Sequence, residues 1–110
     1  MVRLVEGNNT DSGHVEIAHN GYWGIICGSE WDDREAHVFC RMLGYQSGNG
    51  YSGKVNWNIP IVINEIYCNG SEKLLNECEH QISTSSCQWD EYAYASCHMD
   101  GFDTLVKGKS

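Results

Sequence analysis

Several signatures that would announce a function are missing from this chain of 110 residues. Its six cysteines, at positions 27, 40, 68, 78, 87 and 97, include no CxxC pair, so zinc-ribbon and thioredoxin-like readings lose their main support. The five histidines, at 14, 19, 37, 80 and 98, show no HExxH or comparable spacing, and are expected at the surface. No GxSxG, no Ser-His-Asp order and no phosphate-cradling glycine loop appears, because Gly48-Asn49-Gly50 follows no expected strand. These absences argue against an enzyme. No apolar run reaches eighteen residues, so no helical membrane span is expected. Basic residues are also scarce. Seven Lys and Arg against fifteen Asp and Glu give a net charge of -8, which disfavours nucleic acid, heparin or an anionic membrane as a direct electrostatic partner. The opening Met1-Val2 leads straight into a strand with no leader pattern.

What is present reads as one small α+β domain. With 41% hydrophobic residues the chain is globular, but so short a domain has a marginal core unless it is stapled. An even number of cysteines suggests disulfides and an oxidising, extracellular setting, with any leader removed or the chain belonging to a longer protein. The spacing of the cysteines alone leaves their pairing open. Sequons at Asn8 and Asn69 are compatible with secretion and glycosylation.

The central stretch is His19 to Tyr45. Tyr22 to Ile26 is aromatic and β-branched and reads as a strand ending at Cys27. Asp32 and Glu35 stand three apart before an apolar-periodic segment, which predicts a capping box and a helix start. Ala36, Phe39, Cys40 and Leu43 then share one helical face, and Gly44 supplies the left-handed residue that ends it.

Elsewhere, Val2 to Val5 reads as a first strand, Gly7 to Gly13 as a loop, and His14 to His19 as a second strand with Val15 and Ile17 inward and Glu16 toward water. Asn20-Gly21 is a hairpin signal. Gln46 to Trp57 is expected to be an irregular, glycine-rich loop, and Ile61 to Tyr67 a strand. Ser71 is expected to cap a short second helix that ends near Cys78. Glu79 to Asp90 reads as a surface loop, Tyr92 to Cys97 as the closing strand, and 100–110 as a tail or linker after a domain spanning 1–99.

The segment WGIICGSEWDDREAHVFCRMLGY resembles the opening half of the group A scavenger receptor cysteine-rich domain. VRLVEG, HVEIAHNGYWG, IVINEIYCNGSE and LLNEC match its later landmarks in order, so the resemblance covers residues 2 to about 98. It implies a curved antiparallel sheet cradling one main helix. It also implies the pairings Cys27 with Cys87, Cys40 with Cys97, and Cys68 with Cys78. The function implied is an extracellular binding module of innate-immune type that recognises microbial surface or protein ligands, with calcium assistance in some members. An alternative is a structural or regulatory module of a larger secreted protein.

Glu30, Asp32, Asp33 and Glu35 fall within six residues, a density of carboxylates suited to a hard cation such as Ca²⁺, although a helix cap with solvated charge explains the same residues. The calcium-binding members to which the chain is similar use two acids directly after the first cysteine and a Glu four past the fifth. Here that Glu is kept as Glu91, but Gly28 and Ser29 replace the pair. The expected cation set is therefore Asp32, Asp33 and Glu91, with Glu30, Glu35, Glu65 and Asp90 as further candidates. Glu65 is expected on the side opposite Ile63, facing solvent. Direct polyanion binding is disfavoured for this acidic domain, and a microbial glycan or polyanion is expected to bind through a cation that bridges it to the carboxylates. Trp23 and Trp31, beside cysteines, are expected in the core, whereas Trp57 and Trp89 fall in expected loops and would suit a sugar or protein partner.

Overall fold

The computed structural model describes residues 2–5, 11–19, 21–28, 30–54, 61–82 and 91–99. Its elements are β1 (Val2–Val5), β2 (Ser12–His19), β3 (Tyr22–Ile26), α1 (Asp33–Met42), β4 (Ser47–Gly53), β5 (Ile61–Tyr67), a 3₁₀ turn (Leu75–Glu77), β6 (Glu79–Ile82) and β7 (Tyr92–His98). The strands form one sheet in the order β4-β7-β2-β3-β5-β6, with β1 added to β2. All pairings are antiparallel except β3 with β5. The hairpin signal is met where His19 pairs with Tyr22, and Gly21 takes the positive φ of 85° that its turn requires.

Helix α1 packs on β4 and β7. Ala36, Phe39 and Cys40 are fully buried, as their spacing predicts, Leu43 of the same face is only partly buried, Val38 is buried beside them, and Gly44 at φ 98° ends the helix. The partner strands are built to receive it. On β7 the inward side chains are Ala93, Ala95 and Cys97, all buried. On β4 they are Gly48 and Gly50. A Cβ on Gly48 would run into Cys40 Sγ, and one on Gly50 into the Asp32 carbonyl. The glycine-rich stretch is therefore a strand and not the irregular loop expected. Its glycines let strand and helix backbones approach closely.

Other expectations need correction. Glu79–Ile82 is a strand paired to β5, not part of a loop. The second helix is only a 3₁₀ turn that begins after Leu74, not at Ser71, and has no side-chain cap, while Glu72 accepts from the backbone N–H groups of Asn69 and Gly70. Strand β2 begins at Ser12, earlier than expected. Glu16 does not face water: it is buried and accepts from Arg3 Nε at 2.6 Å, and that guanidinium lies 3.9 Å over the Trp23 ring. An arginine lid therefore compensates the buried carboxylate and leaves Trp23 half-buried, whereas Trp31 is in the core as expected. His14 is likewise buried and not at the surface, its ring edge-on to Tyr94 at 5.1 Å.

Two disulfides lie within the described residues, Cys40 with Cys97 and Cys68 with Cys78, as the resemblance implies. The first ties α1 to β7. The second closes the segment between β5 and β6. Cys27 is also disulfide-bonded. Its expected partner Cys87 lies outside the described residues, as do Asn8, Trp57, Trp89, Asp90 and the tail 100–110.

Candidate functional site

The acids expected to act together are gathered where α1 begins, where β4 passes it, and where β7 starts. Asp32 has the extended backbone of an N-cap, and its Oδ1 accepts from Arg34 N at 2.8 Å. Its Oδ2 accepts from Arg34 Nη2 at 2.9 Å. Hydrogen bonding from Arg34, reinforced by that from Glu35, lowers the Asp32 pKa to about 2. Glu35 completes the capping box by accepting from Asp32 N at 2.9 Å, and its other oxygen accepts from Cys68 N at 2.7 Å. Burial, followed by the neighbouring Asp32, pushes the Glu35 carboxyl above its ordinary range.

Asp33 and Glu91 hold β4 at two points. Asp33 Oδ1 accepts from Gly50 N at 2.8 Å, and Glu91 Oε1 accepts from Ser52 Oγ at 2.9 Å. The Glu91 carbonyl also accepts from Gly28 N at 2.9 Å. An open cavity of about 370 Å³ is lined by Asp32, Asp33 and Arg34. Glu30 is exposed. A register shift in β5 between Ile63 and Glu65 leaves Ile63 and Ile66 buried and Glu65 half-buried, accepting from Tyr67 Oη at 3.0 Å. That bond, with burial and the charges of Glu30 and Glu79, raises the Tyr67 phenol.

The calcium set that the resemblance implies meets this geometry first at Gly28. Gly28 occupies the first position of the acid pair, and a Cβ there would come 2.6 Å from Ser52 Cβ and 3.2 Å from the Tyr92 carbonyl carbon. An acid at that position does not fit against the present backbone. Ser29 lies outside the described residues. Asp32, Asp33 and Glu91 contact Arg34, Gly50 and Ser52 respectively, rather than converging. Among the described residues, the one three-residue group whose His, Cys or carboxylate ligand atoms gather within 4.8 Å is Cys68, Glu72 and Cys78. Two of those three are joined in a disulfide and are not available as thiolate ligands. At Gly28, and in the separate partners of Asp32, Asp33 and Glu91, the described residues depart from the calcium set that the resemblance implies. Asn69, the sequon within the described residues, is exposed on the turn closed by the Cys68–Cys78 bridge.

A feature that sequence reading did not single out lies on the sheet face opposite α1. Tyr51, Tyr94 and His14 are direct neighbours in register across β4, β7 and β2. Tyr51 and Tyr94 meet edge-to-face at 6.4 Å. Exposure falls along the row from Tyr51, at 54%, through half-buried Tyr94 to His14 at 7%. Trp31 Nε1 anchors the row from beneath by donating to the Tyr94 carbonyl at 3.1 Å. The strict alternation of Tyr92, Tyr94 and Ser96 was a usable signal for one strand, but Tyr51 was hidden among glycines.

A model of the scavenger receptor cysteine-rich domain matches residues 5–98. The chain is 39% identical over 102 residues to the macrophage scavenger receptor types I and II of Bos taurus, covering 87% of this chain and 22% of that protein. It is 36% identical over 112 residues to lysyl oxidase homolog 2 of Gallus gallus, covering 97% of this chain and 14% of that protein. The chain thus spans only a small part of the curated relatives it matches. Among solved structures, the third SRCR domain of murine neurotrypsin superposes with a TM-score of 0.73 at 37% identity, covering 88% of this chain and 94% of that one. The SRCR domain of mouse MARCO, in its dimeric form, gives 0.72 at 35% identity, covering 87% and 93%.

Proposed function

Because the chain belongs to the scavenger receptor cysteine-rich family, we propose that it is an extracellular, non-catalytic module that recognises microbial surface or protein ligands. The observation that carries this reading is the 39% identity to a scavenger receptor across 87% of the chain. The disulfide framework of Cys40–Cys97 and Cys68–Cys78, suited to an oxidising compartment, supports it. This reading does not route recognition through an ion at Asp32, Asp33 and Glu91, whose carboxylates each have a partner within the fold. With a net charge of -8, direct binding of a polyanion is disfavoured. The test is binding of the oxidised, secreted domain to whole bacteria and to extracellular matrix proteins, with and without chelator. Saturable binding that survives the chelator supports the reading, and no binding to any ligand contradicts it.

A second reading is favoured by the match to lysyl oxidase homolog 2, in which 97% of this chain corresponds to 14% of a much longer protein. In that case the domain is a structural or regulatory module with no ligand of its own. It would then fold and be secreted normally but fail every binding assay.

A further inference from the structure

We infer that the outer face of β4 and β7 is a binding site for a neutral oligosaccharide, which stacks on Tyr51. The inference rests on the recognition reading above and names its ligand class. A pyranose ring presents an apolar C–H face and a rim of hydroxyls, so a site for it needs an exposed aromatic ring with uncharged hydrogen-bonding groups beside it. Both are here. Tyr51 is 54% exposed, and its edge-to-face contact with Tyr94 holds the ring in place, so little rotamer freedom is left to lose on binding. The next rung of the same face pairs Asn49 with Ser96, an amide beside a hydroxyl. His98 Nε2 lies 2.7 Å from Asn49 Oδ1 and orients that amide.

Charge separates this ligand class from the others. Strands β4 and β7, reading SGNGYSG and YAYASCH, contain no Asp, Glu, Lys or Arg, in a chain where such residues make up 20%. A charged ligand therefore finds no Asp, Glu, Lys or Arg of β4 or β7 to pair with, and the net charge of -8 opposes a polyanion. A cationic ligand would be drawn instead to the carboxylates at the start of α1. Tyr94 and His14 supply the support beneath the platform, and Gly48 and Gly50 point the other way, toward the helix.

The test is calorimetric titration of the oxidised domain, in chelator, with neutral mannan, β-glucan and galactan oligomers, using dextran sulfate as the charged comparison. Wild type, Tyr51→Ala and Tyr51→Phe are compared after circular dichroism establishes that all three are folded. One neutral class is expected to bind, to weaken about tenfold or more in Tyr51→Ala, and to stay within roughly threefold in Tyr51→Phe. Neutral binding that ignores Tyr51→Ala overturns the site. Absence of neutral binding while dextran sulfate or a protein ligand binds overturns the ligand class and leaves the recognition reading standing. Failure of every ligand overturns both.

Discussion

Glu35 and Cys68, thirty-three residues apart, are joined by a 2.7 Å hydrogen bond from the Cys68 backbone N–H to a buried carboxylate. The same side chain accepts from Asp32 N with its other oxygen, so one residue closes the capping box of α1 and fastens the helix start to the disulfide-bonded segment after β5. Two acceptors facing two N–H groups cannot be supplied by an amide, which must turn its NH₂ toward one of them. Glu35→Gln is therefore expected to destabilise the domain by about 1–3 kcal/mol despite removing a buried charge. Urea unfolding of the oxidised variant checks this, and an unchanged midpoint would contradict it.

The pH dependence follows from two shifts of opposite sign. Asp32 is lowered from 3.8 to about 2, so its contribution is present above the unfolded value and is lost as pH falls toward about 2. With half of its side chain exposed, screening limits that contribution to about 1 kcal/mol. Glu35 is raised above 4.5, so acidification through its folded pKa favours the folded state until the unfolded value is passed. Stability is expected to rise or hold from neutral pH into the Glu35 titration and then fall in strong acid. Asp32→Asn, which keeps the cap, should remove the acid-side loss, and Glu35→Gln the earlier gain, in unfolding midpoints followed across pH.

Gly48→Ala is expected to cost roughly 2–3 kcal/mol, because its Cβ would meet Cys40 Sγ and the Ala36 carbonyl, and neither end of that contact is flexible. Gly21→Ala has nothing within 4 Å and is strained only by its φ of 85°, at about 1 kcal/mol. Thermal unfolding of the pair separates close packing from backbone conformation. Equal losses would show that β4 does not lie against the helix as described.

How much of this was legible in the residues depends on what each element leaves in them. Helix α1 was legible because Asp32 and Glu35 form a cap and Ala36, Phe39 and Cys40 repeat at helical spacing. Strand β4 was not, because it is specified by the absence of side chains at Gly48 and Gly50, which a composition rule reads as a loop. Strand β6 lacks the β-branched run that marks a strand, and forms by pairing with β5. At the site, the acids were identified, but their partners were not. Gly50, Ser52 and Arg3 reach Asp33, Glu91 and Glu16 across register or sequence distance, and the local pattern around each acid does not encode that.

The two described disulfides should differ in worth. Cys40–Cys97 spans a sequence separation of 57 and Cys68–Cys78 one of 10, so the chain-entropy model assigns about 4 and about 3 kcal/mol. Replacing Cys40 and Cys97 together by Ala is expected to lower secretion yield and unfolding temperature more than replacing Cys68 and Cys78. The reverse order would show that local strain, not loop closure, dominates.

The central claim is that the acids around the start of α1 hold the fold together and do not hold an ion. Calorimetric titration of the oxidised domain with Ca²⁺, with Mg²⁺ as control, tests it most directly. The account predicts no saturable heat at millimolar calcium and no change in unfolding temperature. Saturable calcium binding that disappears in Asp33→Asn or Glu91→Gln would contradict it, and would return these carboxylates to the recognition site.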